Sequence, residues 1–423
     1  MINERKAYSS LKEKISWAFY DWANSSFSSV IITFIFPAYF VQHIAETRAE
    51  GTASWGLLTG SAGALVALGG PLLGAFVDQA GWRKTWIALF TLGCILCAAS
   101  LWFVKPHPEY KLLAMILVGT GIIFSEYAFI LYNAMLPELV EKDQIGRWSG
   151  WGWSFGYTGG VLCLVCSLGI LTYAALFFDT HNAQDVRATF VFVALWYLLF
   201  SLPFFLFTPS NRPTKNFAKA AKEGFEQVKN LLTHIGKFRN IFQFFIAWMI
   251  YTDGLVTLFA FGGVYAAATF NLNTKEVLIF GITLNVSAGI GAASLAFLDD
   301  KIGSKLMIVL SLICLTTLGI CALSAQTLFY FWLLALFLGV FVGPVQASSR
   351  AYLARLAPPE LRNQLFGFYF LSGKVTSFVG PLLVGWITYL SGSPRLGMIP
   401  IIVFFAIGLL LTLPLSSDRT SKE

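Results

Sequence analysis

Gly74-Ala75-Phe76-Val77-Asp78-Gln79-Ala80-Gly81-Trp82-Arg83-Lys84 closes one long apolar run and opens the next. A stretch of this kind must be a tight turn at a membrane surface. Its two glycines let the backbone bend and let two helices approach closely. Asp78 is placed to meet a helix N-terminus or a nearby arginine, while Arg83 and Lys84 mark a cytoplasmic loop. The pattern returns as Ala296-Phe297-Leu298-Asp299-Asp300-Lys301-Ile302-Gly303-Ser304-Lys305. Leu136-Pro137-Glu138-Leu139 recurs at the same offset as Pro358-Pro359-Glu360-Leu361. The chain therefore reads as two copies of one half.

Composition agrees with a membrane setting. The 423 residues are 57% hydrophobic and 12% charged, with a mean hydropathy of +0.69. That balance excludes an ordinary soluble protein. The first 14 residues are polar, and the apolar run that follows is too long for the core of a cleaved signal. The net charge of +7 is distributed by side. With the Gly74–Lys84 turn on the cytoplasmic face, only Arg48, Lys105, Lys111, Arg187, Lys275 and Arg395 fall on the opposite face, and Lys374 falls inside a span. This is the positive-inside bias, not a nucleic-acid footprint. The six cysteines all lie in apolar stretches and read as small packing residues, so no metal is expected.

Candidate spans, each about 20 residues or more, lie near 16–41, 55–77, 85–104, 111–136, 149–173, 188–208, 241–268, 276–298, 305–325, 327–350, 364–390 and 397–415. The expected fold is all-α: twelve transmembrane helices in two pseudo-symmetric halves, 1–208 and 241–423, with both termini cytoplasmic. Residues 209–240 join them. Phe217, Ala221, Phe225, Val228, Leu232 and Ile235 recur there at steps of three and four, with Lys215, Lys219, Lys222 and Lys229 between, predicting an amphipathic helix on the anionic leaflet. Gly152, Gly156 and Gly160 form a small-residue stripe suited to close helix packing. Pro37, Pro71, Pro344 and Pro381 sit inside spans and permit bending.

The Gly-x-x-x-Asp-x-x-Gly-x-Arg-Lys loop, with its degenerate second copy, resembles the loop signature of the major facilitator superfamily. Within it, Tyr20-Asp21-Trp22-Ala23-Asn24-Ser25, Phe34-Ile35-Phe36-Pro37, Gly156-Tyr157-Thr158-Gly159-Gly160 and Gly343-Pro344-Val345-Gln346-Ala347-Ser348-Ser349-Arg350 are similar to blocks of the "unknown major facilitator" group. That group includes the yeast vacuolar amino-acid effluxers of autophagy. The resemblance spans nearly the whole chain. It implies that spans one, four, seven and ten line a central cavity, with span eleven close by. The superfamily's antiporter signature pairs Gly with Pro before a Gly-Gly; here Tyr157 replaces the proline and the spacing is one shorter, which removes motif support for antiport.

Ionisable groups at membrane depth are costly and mark function by default. Glu126 lies mid-span four with Asn133 on the same face, Asp253 lies mid-span seven, and Lys374 lies mid-span eleven. Asp21 and Asn24 share a stripe of span one, and Gln346 and Arg350 a face of span ten. These, with Tyr20 and Tyr251 beside them, are the candidate substrate or proton-coupling residues. Lys374 is expected to neutralise Asp253 or to meet a substrate carboxylate. Arg350 is expected to pair with Glu360 or with loop carboxylates. Gly74, Asp78, Gly81, Arg83, Asp300 and Gly303 are expected to latch loops, together with Arg350.

The expected function is secondary transport of a small zwitterion or cation by alternating access. The resemblance points to amino acids or small peptides and to efflux; the buried carboxylates point to proton coupling. A lipid, lysolipid or siderophore is the alternative cargo, discriminated by whether the cavity opens sideways to the bilayer. A non-transporting receptor is the alternative from another class. No His-Glu-x-x-His, Gly-x-Ser-x-Gly or nucleotide-binding loop occurs, so neither an enzyme nor a cofactor is expected. The expected setting is a bacterial inner membrane, with lipids and protons as partners and the chain as a monomer.

Overall fold

The computed structural model describes residues 9–173, 182–210, 217–233 and 235–418. Twelve helices among them are long and apolar enough to cross a membrane. In the first half these are spans one, Leu11–Ile44, two, Arg48–Ala80, three, Arg83–Phe103, four, Pro108–Leu139, five, Lys142–Tyr173, and six, Gln184–Phe207. In the second they are spans seven, Gly236–Phe270, eight, Glu276–Ile302, nine, Ser304–Ser324, ten, Leu328–Leu356, eleven, Pro359–Ser391, and twelve, Pro394–Thr412. Leu57, Leu68, Leu112, Leu206, Leu382 and Leu410 point outward, as lipid-facing positions should.

Two spans depart from a plain helix. Span one turns π-helical over Phe27–Phe34 and again over Phe40–Ile44. Pro37 supplies part of the cause, because it cannot donate a backbone hydrogen bond to the turn before it. Span eleven, expected as one helix, is two: Arg362–Val375 and Val379–Ser391. Thr376, Ser377 and Phe378 form the turn between them, and the Ser377 backbone N–H and hydroxyl both donate to the Lys374 carbonyl. The break lies against span seven through two glycines with no room for a side chain. A Cβ at Gly373 would meet Trp248 Nε1 at 2.9 Å, and one at Gly380 would meet Thr257 Oγ1 at 1.9 Å.

The turn after span two needs Gly81, whose φ of 74° with ψ of −149° suits no L side chain; Gly303 repeats this after span eight with φ of 94°. The helix Phe217–Thr233 lies beyond span six. It rests on span two through Ala220, Gly224 and Leu231, so the predicted apolar stripe is divided: Phe225 and Ala221 remain exposed. Lys215 and the side chains of Phe217, Leu232 and Ile235 lie outside the described residues.

Candidate substrate cavity and gate

The halves are closed at the basic face, the one carrying the Gly74–Lys84 turn. Asp78 accepts hydrogen bonds from the Asn363 backbone N–H (3.2 Å), the Asn363 side-chain amide (2.6 Å) and the Gln364 backbone N–H (3.0 Å). It thus caps the N-terminus of the first helix of span eleven, where unpaired donors and the helix dipole favour an anion. Gly74 makes this approach possible, since a Cβ there would lie 2.2 Å from the Asn363 carbonyl oxygen. Arg83 pairs not with Asp78 but with Glu138 at 2.9 Å, and Glu138 reaches Arg362 of the other half at 3.6 Å.

The second copy of the motif closes the opposite seam in the same way. Asp300 meets Arg147 at the start of span five (3.5 Å) and Arg355 (3.0 Å). Arg355 also binds Asp299 and Asp418, each at 2.8 Å, and donates to the Lys142 carbonyl across the seam. Asp418 accepts from the backbone N–H groups of Ser304 and Lys305 as well. Burial pushes its carboxyl up, but Arg355 and those two N–H groups outweigh burial and hold it below the usual carboxylate range.

Above this closed end the halves part. A Cβ at Gly56, Gly60 or Gly63 in span two would meet nothing, whereas Gly70 and Gly74 further along are tight against span eleven. A cavity of about 590 Å³ occupies the space, lined by Ser25, Ser28, Ser29, Thr33, Tyr157, Asn285 and Gln346 among aromatic and aliphatic side chains. Among the described residues, no charged side chain lines it. Its floor is the hydrogen bond from the Tyr157 hydroxyl to Gln346 Oε1, which joins the two halves. The stripe Gly152, Gly156 and Gly160 packs on span one, where added Cβ atoms would strike Trp17, Asp21, Ser25 and Ser29, and at Gly152 also Arg350 of span ten.

One helical turn below that floor, Arg350 is buried between the halves. Its guanidinium pairs with Asp21 at 3.3 Å, donates to Asn133 Oδ1 at 2.8 Å and to Ser149 Oγ at 2.8 Å, and lies over the rings of Trp17 and Trp153. The expected pairing of Arg350 with Glu360 or loop carboxylates is therefore corrected: its carboxylate is Asp21. Lys374 likewise pairs with Glu126 at 2.7 Å, not with Asp253. Both partners stay partly accessible, with side chains 36% and 20% exposed. Asp253 is 1% exposed, and its Oδ1 has no hydrogen-bond partner. Thr376, in the break of span eleven, is the side chain that faces it.

Of the candidate substrate residues Gln346 lines the cavity, while Glu126, Asp253, Lys374, Asp21, Asn24, Asn133, Tyr20 and Tyr251 do not. The cavity lining comes from spans one, five, seven, eight and ten, not from the expected four and eleven. Tyr20 bonds Thr91 and Tyr197 inside the first half, and Asn24 Oδ1 accepts from Ser125 and Tyr197. Tyr251 bonds Ser349 and is fully buried. Tyr157, Asn285, Arg147, Arg355 and Asp418 were not singled out as site residues. Asp300 offered the missing signal: if Asp78 reaches the start of span eleven, its repeat should reach the start of span five.

A family profile described as "Vacuole effluxer Atg22 like" matches residues 51–423. The chain belongs to that Atg22-like family. Among its relatives is the uncharacterised MFS-type transporter YxiO of Bacillus subtilis, 27% identical over 416 residues, covering 97% of this chain and 96% of the relative. Autophagy-related protein 22 of Kluyveromyces lactis is 24% identical over 365 residues, covering 77% and 72%. Among solved structures, the proton:xylose symporter XylE superposes with a TM-score of 0.74 at 14% identity, covering 97% of both chains. FucP in its outward conformation gives 0.73 at 12% identity, covering 97% and 99%. This Atg22-like chain thus has the major facilitator fold and is a multi-pass membrane transporter, not an enzyme.

Proposed function

We propose that the protein is a proton-coupled secondary transporter of small zwitterions of amino-acid size, exporting them across a bacterial inner membrane. The Glu126–Lys374 pair carries this reading. It places one charge from each half, opposite in sign and partly open to solvent, where a substrate's ammonium and carboxylate can replace the two partners. The uncharged cavity, which neither Glu126 nor Lys374 lines, suits a solute with no net charge. Alternating access rocks residues 1–208 against 241–423, with 209–240 connecting them and both termini cytoplasmic. The gate at the basic face then opens by parting Asp78 from Asn363 and Arg147 from Asp300. Three carboxylates lie deep in the bundle, and among the described residues two of them, Asp21 and Glu126, are held in ion pairs. The Oδ1 of Asp253 has no hydrogen-bond partner among the described residues, and Asp253 is the residue assigned to the proton.

Counterflow of a panel of labelled amino acids and dipeptides into liposomes tests the reading. Exchange with at least one of them, lost on Lys374→Met, is expected; exchange with none would overturn it. A second cargo class has one observation in its favour. A groove of about 600 Å³ between spans five and eight, flanked by exposed Leu162, Val286 and Ile290, shares Tyr157 and Asn285 with the cavity. Lysolipid exchange in the same assay would select that reading.

A further inference from the structure

Three buried oxygens stand at the break in span eleven without a partner. Asp253 Oδ1, Thr252 Oγ1 and Thr376 Oγ1 make no hydrogen bond among the described residues. Asp253 is 1% exposed and Thr252 8%. Close packing of spans seven and eleven puts them together. A Cβ at Gly373, ahead of the break, would lie 3.6 Å from Thr252 Cγ2, and one at Gly380, beyond it, would lie 3.2 Å from the Asp253 carbonyl oxygen. Thr376, in the turn itself, faces the Asp253 carboxylate without closing a hydrogen bond to it. Thr252 is unusual for its setting. Thr257, Thr316 and Thr412 each return the hydroxyl to the carbonyl four residues back, the common resort of a hydroxyl inside a span, and Thr252 does not. Pro381 has no N–H to give the Ser377 carbonyl, so the same turn leaves a backbone oxygen without its helical donor.

We propose that these oxygens bind a sodium ion, held between Asp253 and Thr376 across the break, with Thr252 and the Ser377 carbonyl beside them. Charge sets the class of ion. A single carboxylate balances a monovalent cation, whereas calcium takes about six to eight oxygens, several of them from carboxylates. Carboxylate, hydroxyl and carbonyl oxygens are hard ligands, and the tight contact of the two spans favours sodium over the larger potassium. An unpartnered carboxylate oxygen at membrane depth is costly until something positive meets it. Lys374 stands two residues before Thr376, but its ammonium is taken by Glu126 at 2.7 Å. An interrupted helix is also where a span can offer backbone oxygens to a cation. The inference rests on the transporter reading only for its consequence: the ion and the proton assigned to Asp253 claim the same oxygen, so sodium would couple transport there in the proton's place.

Binding of radiolabelled sodium to the purified protein tests this without a transport substrate. Saturable binding at a single site is expected, displaced by unlabelled sodium and not by potassium. Asp253→Asn should abolish it. Thr376→Val, which removes one oxygen and keeps the shape, should weaken it about tenfold. Melting temperatures in choline chloride report whether each variant is folded, and if Asp253→Asn is not, Thr376→Val in the turn carries the test. No saturable binding, equal displacement by potassium, binding that survives Asp253→Asn, or unchanged affinity in Thr376→Val would overturn the inference. Counterflow judges the transporter reading separately. Sodium binding without exchange of any amino acid or dipeptide would keep the site and remove that reading, and exchange without sodium binding would do the reverse.

Discussion

Lys374 had two carboxylates to choose from, and the geometry gives it Glu126. Both partners are partly exposed, and losing a hydrogen bond to a charged group of this kind costs about 1.5–3 kcal/mol. Glu126→Gln should therefore weaken zwitterion binding about thirtyfold, read as the concentration needed for half-maximal counterflow. Folding rescue of Lys374→Met by a second neutralisation is expected from Glu126→Gln and not from Asp253→Asn; melting temperatures of the two double variants decide it. Asp253→Asn has a different signature. Counterflow, which needs no net proton movement, should persist, while accumulation driven by a proton gradient should vanish. Accumulation that survives Asp253→Asn would remove the proton from that residue. The sequence showed that these groups sit at membrane depth, because charge inside an apolar run is plain to read. It did not show their partners, because a span's rotation about its own axis is set by packing against other spans. Arg350 illustrates the limit: its partner Asp21 lies on the other half of the chain.

Among the elements, the repeated loop was the most legible, since its glycines and aspartates recur at fixed spacing. Its reach across the seam was not, because the residues Asp78 binds, Asn363 and Gln364, carry no distinctive pattern of their own. Asp78→Asn keeps the shape but turns an acceptor pair into a mixed donor and acceptor facing backbone N–H groups. It should slow turnover several-fold and leave substrate affinity unchanged; a large affinity loss would refute the gate role. The second seam offers a pH test. The folded value of Asp418 lies below its unfolded one, so its contribution is complete above the ordinary carboxylate range and is lost as acid protonates it. Asp418→Asn should lower the melting temperature at neutral pH by an amount equivalent to about 2 kcal/mol. The two proteins should begin to converge as the pH falls below the ordinary carboxylate value of about 4 and should meet only below the folded value. The break in span eleven had a signal in the sequence: Pro381, read there as permitting bending, cannot donate to the Ser377 carbonyl one turn back. Its exact place was not legible, because it also depends on Gly373 and Gly380 packing on span seven.

For the whole molecule, twelve apolar runs and an internal repeat were enough to reach the fold, because the bilayer admits so few ways to satisfy a backbone. The conformation is a property of both halves together and could not be read from either. It rests on close backbone contact at one end and open space at the other, which makes Gly74 a lever on the equilibrium. Gly74→Val places carbon where the Asn363 carbonyl sits and should shift the population toward a parted basic face. Distances between spin labels at the ends of spans two and eleven would lengthen there; an unchanged distribution would show that the seam can absorb the added bulk.

Gln227 touches both sides of that seam at once, accepting from the Gln79 amide at 2.7 Å and donating to the Glu360 carbonyl at 3.1 Å. The connector between the halves is thus also mortar in their joint, and most of its surface contact is with span two. If the polypeptide were severed, the site of the cut would decide which fragment kept the clasp. Cleavage after Thr233 would leave the helix seated on the fragment it already grips. Cleavage ahead of Phe217 would tether it to the other fragment, so that reassembly would have to recover a docking which the intact chain gets from its own continuity.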